Sequence, residues 1–125
     1  FSPLAQGLLT GKYLDGVPAD SRAGKETPSF KDGFLSADNL DRIRGLADIA
    51  EARGQSLAQM ALSWALRDPR VSSLVIGASR VDQLENNVAA LNADPFTDDE
   101  LAAIDSFAVD SGVDIWGDAR RSTQD

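Results

Sequence analysis

Two short segments carry the residue types from which an anion site is made. Gly77-Ala78-Ser79-Arg80 follows an apolar run and opens a helical pattern. At such a junction the first backbone N–H groups of a helix and the positive end of its dipole converge where a phosphate can sit. Gly77 and Ala78 leave room for close approach. The Ser79 hydroxyl either caps the helix or donates to a phosphate, and capping alone is a sufficient explanation. Further along, Gln83, Asn86 and Asn87 share one helical face. Their amides either pair with a purine edge or simply face solvent.

The second segment, Gly7-Leu8-Leu9-Thr10-Gly11-Lys12-Tyr13, invites comparison with a P-loop and fails on mechanics. Three residues rather than four separate the glycines, and Tyr13 stands where a magnesium-binding Ser or Thr belongs. Lys12 still offers a point charge to a phosphate. It lies in a Gly/Pro-punctuated stretch, Gln6 to Phe34, whose length marks it as a place for ligand contacts, since long structureless loops are uncommon and tend to be functional or disordered.

Other chemistries are excluded by what is absent. With no histidine and no cysteine among the 125 residues, this chain alone builds no Ser-His-Asp triad, thiolate metal site or disulfide. The acidic pair Asp98/Asp99 falls in a first helical turn, where the helix dipole accounts for it, so no acid/base role and no metal site are assigned. Twelve basic against twenty acidic residues give a net charge of -8. No basic stripe is available to replace counterions on nucleic acid or an anionic membrane, and no apolar run reaches the ~20 residues of a membrane span. The expectation is a soluble protein of a reducing cytoplasm. The sequence opens on Phe1 and its single methionine is Met60, so it reads as beginning within a longer protein.

Positioning these segments requires regular elements. Ser36 is placed as the N-cap of a helix with Leu40, Ile43, Ala47 and Ala50 on one face, stopped at Gly54. Ser56 and Gln59 form a capping box for a second helix, lined by Leu57, Met60, Ala61 and Trp64 and ended by Pro69. Val71 to Ile76 reads as a short buried strand closed by Gly77. Ser79 is the expected N-cap of a helix whose Val81, Leu84, Val88 and Leu91 form an apolar stripe. Thr97 and Glu100 make another capping box, with Phe96 and Leu101 as a staple. With a strand end at Phe1, the order is strand, loop, two helices, strand, two helices and a polar tail. Such alternation implies a parallel sheet joined by helical crossovers, and two strands need further strands to complete it.

Taken together and in order, Phe1 to Tyr13, Pro18 to Arg22, Gly54 to Ala61, and Ile76 to Ser79 with Gln83 and Asn87 resemble the aldo-keto reductase superfamily, near its bacterial reductase and potassium-channel β-subunit branches. The likeness runs from Phe1 to about Trp116. It implies an α/β fold in which residues 1–125 are the C-terminal portion, strands 7 and 8 with their helices, of a single (β/α)8 TIM barrel domain. Strand 7 then lies at Phe1 and strand 8 at Val71 to Ile76.

The resemblance also implies NADPH as cofactor. Ser2, Pro3, Leu4, Ala5 and Gln6 would line the pyrophosphate and ribose path, with Lys12 and Arg22 reaching phosphates. Gly77, Ser79 and Gln83 would surround the 2′-phosphate, and Asn86 and Asn87 would face the adenine. Relatives usually carry Glu at the position of Asn86, which is a departure. Trp116 would help close the substrate pocket. The family's catalytic Asp, Tyr, Lys and His belong to earlier strands, so no catalytic role passes to any residue here and the segment alone is expected to be inactive. The implied activity is reduction of small aldehydes or ketones; the alternative is an NADPH-binding regulatory module of the channel-subunit type. The expected partner is a small carbonyl compound, without nucleic acid or membrane, and a homo-oligomer is compatible with the pattern.

Overall fold

In the computed structural model, residues 2–16 and 32–110 are described. Ser36 accepts from the Asn39 N–H through its hydroxyl at 3.3 Å and so starts helix α1, Ala37–Ala52. The helix ends at Gly54, whose φ of 70° is available at little cost only to glycine. The Gly54 N–H bonds to the Glu51 carbonyl and the Gln55 N–H to that of Ala50, both at 2.9 Å, the reciprocal pair that closes a left-handed helix stop. Helix α2, Leu57–Ala65, follows at once, opened by the Ser56/Gln59 capping box. The remaining helices are α3, Val81–Val88, and α4, Asp98–Phe107, the latter opened by the Thr97/Glu100 box. Two 3-10 turns joined across a kink cover Ala5–Thr10, and single ones cover Asp32–Leu35 and Ala89–Asn92.

The core joins Leu8 and Tyr13 from the first segment, Phe34, Ile43 and Ala50 around α1, Leu57 and Met60 of α2, and Ile104 of α4. Helices α1 and α4 approach closely at Gly45, where an added Cβ would sit 2.3 Å from the Phe107 ring. Arg53, at the end of α1, is the other tie: its guanidinium donates to the Asp94 carbonyl at 2.7 Å and to Gln55, pairs with Glu100, and stacks 3.9 Å from the Phe96 ring centroid.

Helices α2 and α3 run parallel. Gln59 meets Asn86 at 3.0 Å, and four residues further along α2 Ser63 meets the carbonyl of Ala90, in the 3-10 turn that follows α3, at 2.9 Å. The chain between them, residues 66–80, must therefore return along the length of α2. Two parallel helices joined by a returning segment are the spacing of successive units in an α/β repeat.

Two sequence expectations differ from what is described. Val71 to Ile76 makes no strand ladder, and no strand occurs among the described residues. A strand exists by virtue of its ladder, and no described neighbour offers a partner edge. The N-cap of α3 is Arg80 rather than Ser79, and it makes no side-chain cap bond.

The stripe of α3 has the opposite disposition from that expected of a packed amphipathic helix. Val81, Leu84, Val88 and Leu91 are all exposed, Val81 by 73% and Leu91 by 70%, whereas Asn87 on the amide face is buried. Packing against α2 takes the polar face, and the apolar face has no cover among the described residues.

Candidate functional site

The first segment is held in a conformation that side chains rarely adopt. Ser2, Ala5 and Gln6 have φ of 54°, 46° and 57°, each costing on the order of 1 kcal/mol relative to ordinary backbone. Turn bonds hold them there: the Ala5 N–H reaches the Ser2 carbonyl and the Gly7 N–H the Leu4 carbonyl, both at 2.9 Å. Gln6 Oε1 is buried and has no hydrogen-bond partner among the described residues. Residues 2 to 6 are all half-buried, forming a wall rather than a free loop.

Lys12 is exposed but not loose. Its ammonium lies 4.9 Å from the Tyr13 ring centroid, and its end would be 2.7 Å from a Cβ at Gly7. Gly7, at φ 99°, thus supplies both the turn and the space through which the lysine passes back over the segment. Arg22 and Trp116 lie outside the described residues.

At the second segment, Gly77 and Ser79 are exposed. A Cβ at Gly77 would meet nothing within 4 Å, and its φ is not among the positive ones. Neither conformation nor packing within the described chain demands glycine there, which leaves the bare backbone open to close approach. Gln83 Oε1 accepts from the Ser79 N–H at 3.0 Å and the Ser79 hydroxyl at 3.1 Å. Arg80 is turned aside into an ion pair with Asp82 at 2.9 Å, which holds the Asp82 carboxyl below its ordinary value, chiefly through that hydrogen bond.

Asn86 is engaged by α2, accepting from Gln59 Nε2 and donating to the Ser56 hydroxyl at 3.2 Å. Asn87 is buried on the same face. Sequence reading gave α3 its amide face but missed Ser56 and Gln59 as partners of that face; their capping-box spacing explained them fully and hid the second use.

An open groove between the far end of α2 and the start of α4, lined by Leu66, Arg67, Leu91 and Phe96, contains none of these candidates. Among the described residues no cluster of three or more His, Cys, Asp or Glu side chains is placed to hold a metal, and no helix is long and apolar enough to cross a membrane.

A family model described as Aldo/keto reductase family matches residues 1–109. The chain belongs to that family. It is an oxidoreductase family that acts on carbonyl substrates, generally with NADP(H), and its fold is a (β/α)8 barrel. Over 119 residues the chain is 51% identical to L-glyceraldehyde 3-phosphate reductase of Escherichia coli O157:H7 and 52% identical to that of strain K12, covering 93% of this chain and 34% of either relative. It is 42% identical over 103 residues to a probable voltage-gated potassium channel subunit beta of Oryza sativa subsp. japonica, covering 81% of this chain and 31% of that protein. The chain therefore spans about a third of the length of the curated relatives it matches.

Proposed function

We propose that the protein reduces small aldehydes or ketones with NADPH, and that residues 1–125 supply the cofactor-binding part as the seventh and eighth units of the barrel. The observation that carries this reading is the pairing of an over-determined, left-handed turn bearing a buried unpartnered acceptor, Gln6 Oε1, with an open glycine at the head of α3. Both features fit a long ligand of alternating polar and anionic groups better than they fit packing. The parallel α2/α3 register supports the assignment of units, with 71–76 as an eighth strand whose ladder partners come from elsewhere in the barrel.

In this reading Ser2, Pro3, Leu4, Ala5 and Gln6 form the wall along the pyrophosphate and ribose, and Lys12 and Arg22 neutralise phosphate charge. Gly77, Ser79 and Gln83 take the 2′-phosphate, and the adenine end falls beside Asn86 and Asn87. When bound, NADPH supplies the hydride; the residues of this segment bind and orient it. Tyr13, the sole tyrosine in the sequence, is 3% exposed in the core and is given no proton-donor role. That role is assigned to the part of the relatives' length that these residues do not cover, and the segment by itself is inactive.

The test is NADPH consumption by the full-length protein with short aldehydes, L-glyceraldehyde 3-phosphate among them. Turnover that requires NADPH and a carbonyl compound upholds the reading. Tight NADPH binding without turnover of any aldehyde or ketone would instead favour the regulatory module suggested by the channel-subunit relatives, and absence of NADPH binding would remove both.

A further inference from the structure

We infer that Asn86, Gln59 and Ser56 form a latch that fixes the phosphate-binding head of α3, so that Asn86 is a positioning residue and not an adenine contact; the inference rests on the NADPH reading above. The geometry leaves Gln59 no choice of orientation. Its Oε1 accepts from the Ser56 N–H at 3.0 Å to complete the α2 capping box, which turns Nε2 outward, and that nitrogen donates to Asn86 Oδ1 at 3.0 Å. Asn86 then presents Nδ2 to the Ser56 hydroxyl at 3.2 Å. The same hydroxyl accepts from the Gln59 N–H at 3.2 Å. Each amide is thus used at both ends, and a purine edge would compete with α2 for Asn86.

Helix α3 depends on such a tie. Its N-cap, Arg80, makes no side-chain cap bond, its apolar stripe is uncovered among the described residues, and Asn86 lies one turn below Gln83, which itself holds Ser79. The start of α2, fixed by its box, sets where the first turn of α3 stands.

The experiment is a double-mutant cycle on the full-length protein, reading dissociation constants for NADPH and NADH by tryptophan fluorescence. Asn86→Ala leaves both capping boxes intact, Gln59→Ala removes the latch from the other side together with its bond to the Ser56 N–H, and Thr97→Ala removes an unrelated box as a control for that loss of stability. Each latch variant should weaken NADPH about 3- to 10-fold, the usual worth of a hydrogen bond, with a smaller change for NADH. The double variant should lose less NADPH affinity than the two single losses combined, because both singles remove the Gln59–Asn86 bond, and Thr97→Ala should leave the NADPH/NADH ratio unchanged. Additive losses, a loss with Asn86→Ala but none with Gln59→Ala, or equal losses for both cofactors would overturn the latch while leaving the cofactor reading standing. Wild-type protein that binds neither cofactor would overturn the cofactor reading itself, and the latch with it.

Discussion

Gln83 Oε1 accepts two hydrogen bonds from Ser79, one from its N–H at 3.0 Å and one from its hydroxyl at 3.1 Å. With the amide oxygen engaged inward, the Gln83 NH2 group is the end left to turn toward an incoming anion. Replacing that group by a carboxylate oxygen keeps the inward acceptor and sets a negative charge against the 2′-phosphate. Gln83→Glu should therefore weaken NADPH by roughly 10-fold or more and leave NADH within about 2-fold, since like-charge juxtaposition discriminates between ligands that differ only in a phosphate. Equal affinity changes for the two cofactors, measured by titration, would remove Gln83 from the phosphate end.

Gly7 is constrained twice, by a φ of 99° and by the Lys12 side chain 2.7 Å from where a Cβ would stand. Gly7→Ala should destabilise the protein by about 1 kcal/mol or more from backbone strain alone. It should also displace Lys12 from the Tyr13 ring, so NADPH affinity should fall more steeply with salt in the wild type than in the variant. Chemical denaturation and a salt series of binding constants check the two effects separately.

Gly45→Ala tests packing against propensity. In an exposed helix interior the change stabilises by roughly 1 kcal/mol, but the new Cβ would lie 2.3 Å from the Phe107 ring. Overpacking typically costs about 1 to 3 kcal/mol, so a lower melting temperature is expected. A raised one would show that α4 moves aside freely.

The Arg53–Glu100 pair gives stability a pH dependence of known sign. The Thr97 N–H, with the charge of Arg53 adding to it, holds the Glu100 carboxyl below its ordinary value of 4.5. A carboxyl depressed in the folded state stabilises fully above its unfolded pKa and loses that contribution as pH falls through the folded one. Stability should thus decline on acidification below about pH 4.5, and less steeply in Glu100→Gln. Arg53→Ala, which also loses the Asp94 carbonyl bond and the Phe96 stack, should lower the melting temperature by roughly 5 °C or more at neutral pH.

The helical part of the fold was legible in the sequence because its signals are local. Ser36, Ser56/Gln59, Gly54 and Thr97/Glu100 sit at the helix ends that their spacing implies. The strand expected over Val71 to Ile76 has no ladder among the described residues, since strand identity depends on a neighbouring edge as well as on its own residues. The α3 stripe was read correctly as amphipathic, but which face would be covered could not follow from periodicity. Val81, Leu84 and Val88 stand exposed, with no cover among the described residues. Of the candidate site, the head of α3 and the turn at Gly7 were visible through glycine placement. The left-handed φ of Ser2, Ala5 and Gln6 had no signal, because these residue types do not announce such backbone.

The most direct measurement is a crystal structure of the full-length protein with NADP bound. Its pyrophosphate should run along Ser2 to Gln6 with a donor at Gln6 Oε1, and its 2′-phosphate should lie within hydrogen-bond distance of Ser79 and Gln83. A dinucleotide bound away from either segment, with Gln6 still unpartnered, would contradict the assignment.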